Sequence, residues 1–140
     1  MSESKPEWLV EYKERLADGQ LVSVNYDREG DILEIFFDRG PGCGVELADE
    51  IVLRYNIETG KPLSLMFLSF SKLVQPTDYG PESFRLTGLE RLPADRRQVV
   101  MRILTSPPVN YYLRVSALSL PREPKPVPIT YVRQPLAIAA

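Results

Sequence analysis

The spacing of apolar residues switches from helical to strand-like, back to helical, and back again. Between Trp8 and Leu16 the apolar residues Trp8, Leu9, Tyr12 and Leu16 fall at helical spacing, with Glu11, Lys13, Glu14 and Arg15 largely off that face. Ser4 and Glu7 have capping-box spacing, Pro6 suits a first turn, and Asp18-Gly19 supplies a stop. The pattern predicts an N-terminal helix within residues 1–20. From Leu21 the period becomes two. Val22, Val24 and Tyr26 alternate with Ser23, Asn25 and Asp27, a half-buried strand. A second strand spans Ile32 to Asp38, where Ile32 and Phe36 interrupt the otherwise polar face. A third is predicted over Glu46–Asn56 and a fourth over Pro62–Phe70.

The fourth strand is apolar on both faces: Leu63, Leu65 and Phe67 on one, Met66, Leu68 and Phe70 on the other. Such a strand calls for cover on both sides. The N-terminal helix is expected on one side. The C-terminal half of the chain, or a second subunit, is expected on the other. Ser71–Val74 reads as a short helical turn, and Gln75–Ser83 as a loop rich in Pro, Asp and Gly. A second helix is predicted over Ala94–Leu104, striped by Val99, Val100, Ile103 and Leu104, and a fifth strand over Tyr111–Leu118. Pro121 to Pro128 reads as polyproline-like. Ile129–Val132 is expected as an edge strand or arm, and Leu136–Ala140 as frayed.

One pattern occurs twice. Tyr26-Asp27-Arg28-Glu29-Gly30-Asp31 precedes the second strand, and Tyr55-Asn56-Ile57-Glu58-Thr59-Gly60 precedes the fourth. Each predicts a β-hairpin, with Gly30 expected at positive φ in the first. The second copy loses the acid pair, with Asn56 and Thr59, and with Lys61 at the place assigned to Asp31. The repeat therefore reads as sheet construction and not as a duplicated acidic site. The expected fold is α+β. An antiparallel meander of four to six strands (21–74) packs with the N-terminal helix and a second helix. A helix-strand extension (75–120) and a Pro-rich arm (121–140) follow.

At 140 residues, with 44% apolar and 26% charged residues, the chain suits one ordinary globular domain. The net charge of −2 supplies no basic field, so nucleic acid is not an expected partner. No apolar run is long enough to span a bilayer, and no signal peptide is visible. The single cysteine, Cys43, can form no internal disulfide, and a cytoplasmic location is expected. The chain has no histidine, which removes Ser-His-Asp and Cys-His catalysis, imidazole acid–base chemistry and nearly all zinc sites. A non-enzymatic protein without a cofactor is the expectation.

Residues 26–73 carry a resemblance. The matching pieces are Tyr26-Asp27 through Asp31-Ile32-Leu33-Glu34-Ile35, then Leu47-Ala48-Asp49-Glu50-Ile51-Val52-Leu53, then Tyr55-Asn56 through Gly60, and Leu63–Leu68 with Ser71-Lys72. They resemble the small bacterial family of domain of unknown function twenty-two eighty-three. The chain departs from the family pattern at Glu34, at Glu50, and at Arg54 and Asn56, where acidic residues are usual. The resemblance implies a small β-rich bacterial fold and no activity. Because some family members sit beside toxin-like partners, it also implies an antitoxin-like role as an alternative. The C-terminal section, Leu86 through Val109, resembles an extension in uncharacterised cyanobacterial proteins.

Several residues are candidates for chemistry. Asp27, Glu29 and Asp31 have the alternate spacing of a calcium loop, but the further ligands are missing, and a solvated turn explains them as well. Gly40–Gly44 has the glycines of a phosphate cradle without the helix that completes one. Cys43 lies near Arg39 in sequence and lacks a visible base. Arg96, Arg97 and Arg102 give the second helix a basic side. With Tyr111 and Tyr112 as walls, they are the candidate binding residues for an anion or small molecule. Pro121 and Pro124 have PxxP spacing, read as a strap on the domain or a segment exchanged with a second subunit. Tyr26 and Tyr55 read as packing residues. The expected partner is the protein itself, as a homodimer or higher oligomer, or another protein.

Overall fold

The stretch read as an N-terminal helix is a strand. In the computed structural model, which describes residues 6–135, β1 (Leu9–Arg15) pairs antiparallel with β2 (Leu21–Asp27), Tyr12 opposite Val24 and Glu14 opposite Val22. Helical spacing gathers Trp8, Leu9, Tyr12 and Leu16, whereas strand alternation gathers Val10, Tyr12, Glu14 and Leu16. A charged residue at an inward position hid the second pattern. The turn signal Asp18-Gly19 serves a hairpin in place of a helix cap. Gly19 sits at φ 89°, and Leu16 N–H donates to Gln20 O at 2.8 Å. The expected Ser4 cap lies outside the described residues.

The sheet continues through β3 (Ile32–Phe36), β4 (Cys43–Ala48), β5 (Ile51–Tyr55) and β6 (Pro62–Phe67). Its order is β1-β2-β3-β6-β5-β4, antiparallel throughout. It is two three-stranded meanders joined at their last strands, not one continuous meander. The long third strand expected from the sequence is two strands. They are folded at Asp49-Glu50, with a register shift between Glu46 and Ala48. Gly42 lies where the chain enters β4. A Cβ there would stand 2.6 Å from Tyr55 O and 2.4 Å from Leu63 Cδ1.

Both repeats are hairpins, β2–β3 and β5–β6. In the first, the positive φ falls on Asp31 (55°) and not on Gly30; in the second it falls on Gly60 (71°). Counting from Tyr26 and Tyr55, Asp31 and Gly60 are the equivalent residues, so the earlier match of Asp31 with Lys61 is one residue out.

The rest of the chain forms a second layer. It runs through α1 (Phe70–Leu73), the small ribbon β7 (Pro76–Thr77) and β8 (Gly80–Pro81), and β9 (Phe84–Arg85). Then follow α2 (Thr87–Glu90), α3 (Ala94–Leu104), a 3₁₀ turn (Val109–Tyr111), β10 (Leu113–Leu118) and β11 (Val127–Val132). The expected fifth strand thus begins at Leu113, after the 3₁₀ turn. β11 lies between β10 and β9 in a three-stranded antiparallel sheet, with Val127, Thr130 and Val132 buried. The segment after the prolines is therefore a central strand of its own domain, not an edge. The last residues read as frayed lie outside the described residues.

One core joins the layers. Val24, Leu33, Ile35, Leu47, Leu53, Leu65 and Phe67 of the sheet pack with Leu86, Leu89, Val100, Leu104, Val109 and Leu113, all close to fully buried. The class is α+β, built on a six-stranded antiparallel sheet. No helix among the described residues is long and apolar enough to cross a membrane.

Candidate interaction surface

The five candidate binding residues do not converge. Arg96 reaches back to the large sheet, where Nη2 donates to Tyr55 Oη at 3.3 Å and approaches Cys43 Sγ at 3.7 Å. Arg97 donates to Leu92 O at 3.2 Å and borders a groove on the second layer. Arg102 is exposed toward the end of α3. Tyr112 is buried, and its hydroxyl donates to Glu14 of β1, tying the last-built layer to the edge strand. Burial and the Glu14 carboxylate together push the Tyr112 phenol well above its ordinary range. Tyr111, partly exposed, lines a shallow cleft with Arg133 and Pro135 away from the arginines. Tyr55 is almost fully buried and packs in the core, as expected for a strand aromatic.

The acidic turn resolves into structure. Asp27 Oδ1 accepts from Gly30 N–H at 2.8 Å. Asp31 accepts from Tyr26 Oη at 2.7 Å, Ser71 Oγ at 2.5 Å and Ser71 N–H at 3.0 Å. Its own carbonyl accepts from Phe70 N–H at 2.9 Å. The carboxylate thus holds the start of α1 against the β2–β3 hairpin. The equivalent Gly60 adopts a left-handed backbone without steric cost, whereas Asp31 retains some strain there. The aspartate is explained by its carboxylate. Among the described residues, no group of three or more metal-ligating side chains gathers there or elsewhere.

Partial burial works against the Asp31 charge, but the Ser71 hydroxyl, the Tyr26 phenol and the Ser71 N–H outweigh it and hold its carboxyl below the ordinary range. Burial first, then Asp31, pushes the Tyr26 phenol up to about 12. An acid with a lowered folded-state pKa adds stability above its unfolded pKa and loses it as pH falls through the folded value. Asp31→Ala is therefore expected to cost about 2 kcal/mol at neutral pH, as loss of charge-assisted hydrogen bonds. The difference from wild type should shrink as pH falls through and below the carboxylate range. Urea unfolding of both proteins as a function of pH checks this.

The large sheet has a second face, and the core does not use it. Alternation sends Phe36, Ser64 and Arg54 outward in one row across β3, β6 and β5. Glu34, Met66 and Val52 form the next row. Ile32 and Leu68 extend the apolar patch toward one end. Neither the buried core nor the residues packed against it include Ile32, Phe36, Val52, Met66 or Leu68. They are partly exposed, while their inward neighbours Leu33, Ile35, Leu53, Leu65 and Phe67 are fully buried. The helices and small sheet contribute to the core on the opposite face.

At the centre of this face Ser64 is 1% exposed, and its hydroxyl has no hydrogen-bond partner among the described residues. Arg54 lies directly opposite it on β5, and Glu34 lies diagonal to it on β3. Burial raises the Glu34 pKa above the ordinary range, and the nearby Ser64 hydroxyl and Arg54 charge only partly oppose the shift. Ser64 influences the carboxylate from beside it without reaching hydrogen-bond geometry. A half-desolvated acid, a cation and an unpaired hydroxyl sit within an apolar frame. The arrangement provides recognition chemistry without a nucleophile–base pair.

Part of this was visible in the sequence. Ile32 and Phe36 break the polar face of β3, and Met66 and Leu68 make β6 apolar on both sides. Ser64 is not legible in the sequence, because a serine in a strand carries no signal of its own. Against family models, curated proteins and solved structures, the chain has no match.

Proposed function

We propose that the protein is a non-enzymatic interaction module that associates with a second copy of itself through the open face of its six-stranded sheet. The observation that supports this most is the self-complementary character of that face, with Glu34 and Arg54 on opposite sides of the apolar β6. The Pro-rich arm gives no support, because β11 is already paired within its own domain. A closed dimer needs a surface that matches itself under a two-fold operation. An axis running along β6 lays β3 of one copy over β5 of the other. Glu34 then falls within reach of the second copy's long Arg54 side chain, and Met66 meets Met66. At about 4.8 Å per strand the six strands span roughly 24 Å, broad enough for aligned sheet-on-sheet packing. Removing Ile32, Phe36, Met66 and Leu68 from water drives the association, and the charges set its register.

Charge exchange tests the arrangement. Glu34→Arg and Arg54→Glu each place like charges across the two-fold, and each is expected to weaken the dimer at least tenfold in light scattering with size exclusion. The double variant restores opposite charges and is expected to recover most of the loss. Equal dimerisation of all four proteins would remove the proposed register. A wild type that is monomeric throughout would remove the dimer itself.

A further inference from the structure

The second layer contains a separate concavity, independent of the open sheet face. It is a groove of about 380 Å³ between α3, the end of β10 and the Pro-rich strap. Leu89, Met101 and Val127 supply apolar lining, and Pro124, Pro126 and Pro128 form one wall. Proline rings are rigid and offer apolar surface without a side-chain entropy cost on binding. The volume lies in the range of small-molecule sites.

The rim carries two carboxylates and two cations, and they are not equally free. Glu90 and Glu123 border the groove, but both are engaged by Arg85. Its Nε and Nη2 donate to the two Glu90 oxygens at 2.8 and 2.9 Å, and Nη2 donates to Glu123 at 3.2 Å. Arg85 is the main cause holding the Glu90 carboxyl below its ordinary range, with partial burial opposing and the Arg97 charge adding to the effect. Arg97 and Lys125 remain on the rim without an ion-pair contact among the described residues. Arg97 spends one donor on Leu92 O and keeps the rest of its guanidinium. Counting Arg85, which holds the two carboxylates from outside the groove lining, three cations stand against two carboxylates, leaving one positive charge beside an apolar channel.

From this we infer a binding site for a small monoanion: an organic carboxylate with an apolar body, its head between Arg97 and Lys125 and its chain along the proline wall. The guanidinium fork suits a carboxylate, and the net charge matches a single negative head. A cationic or uncharged amphiphile of equal length satisfies the channel but not the rim.

Decanoate is the probe, titrated below its aggregation range and followed by calorimetry and amide chemical shifts. The wild type is expected to bind it saturably at one site, with shifts concentrated at Leu89, Met101 and Val127. Decyltrimethylammonium is expected to bind at least tenfold more weakly. Replacing both rim cations, Arg97→Ala with Lys125→Ala, should weaken decanoate at least tenfold. Ala117 is exposed at the groove, so Ala117→Trp fills the channel without disturbing the core and should abolish binding while circular dichroism stays unchanged. Absence of saturable decanoate binding overturns the inference. So does equal affinity for the cationic probe, or an affinity insensitive to the rim and channel variants. Mass measured in the same samples separates this result from the fate of the sheet-face dimer.

Discussion

Gly88→Ala is expected to lower the melting temperature by roughly 10 °C or more, a loss of about 3 kcal/mol, at the upper end of what overpacking costs. Gly88 lies in α2, and a Cβ at that position would stand 1.5 Å from Glu46 O and 2.7 Å from Glu46 C. Both are backbone atoms of β4, so no side chain can swing aside. The helix must withdraw from the sheet edge. That movement pulls on Leu86 and Leu89, which flank Gly88 and are 0% and 1% exposed in the core between the layers. Intrinsic helix propensity points the other way, since alanine favours a helix over glycine by about 1 kcal/mol. The sign of the measured effect therefore separates close backbone packing from propensity. Gly44→Ala is the control. It lies in β4 too, but its nearest atom is Val52 Cγ1 at 3.9 Å, an ordinary contact. It should be neutral or slightly stabilising. Thermal and urea unfolding of the three proteins decide the matter.

How far the sequence discloses this fold depends on whether one period was available or two. Ala94–Leu104 is the helix expected, with the same bounds, because Pro93 starts it and an unbroken stripe runs through it. β2 and β3 match their alternation. β1 fails because Trp8–Leu16 satisfies both a helical and a strand template, and Glu14 at an inward position counted against the strand. Glu14 is accommodated there by Tyr112, 98 residues away, which no local pattern contains. The fold between β4 and β5 fails for a different reason. Asp49-Glu50 makes a tight reversal with no glycine, no proline and no positive φ, so the usual turn signals are absent.

The site divides in the same way. The arginines were recognisable as a basic helix side, but three-dimensional placement sends Arg96 to Tyr55 and Cys43, Arg97 to a groove, and Arg102 to the exposed surface. Residues close in sequence on a helix diverge around its circumference. The doubly apolar character of β6 was visible and called for two covers. The structure supplies one. The expected helical cover became an in-plane neighbour, which leaves Met66 and Leu68 facing outward.

The largest effect expected on association comes from that outward row. Met66 lies on β6 between Glu34 of β3 and Val52 of β5. It is on the axis proposed for the dimer, where any substitution counts twice. Met66→Lys places two ammonium groups against each other in a surface being desolvated, a cost of several kcal/mol to association. In the isolated chain the side chain is partly exposed, and a long flexible lysine can reach water, so the fold itself should change little. The most direct measurement is sedimentation equilibrium of wild type and Met66→Lys over the same concentration range. The account predicts a two-copy mass for the wild type and a one-copy mass for Met66→Lys, with superimposable circular dichroism. A wild type of one-copy mass at every concentration, or a Met66→Lys protein that dimerises as tightly as wild type, would contradict it.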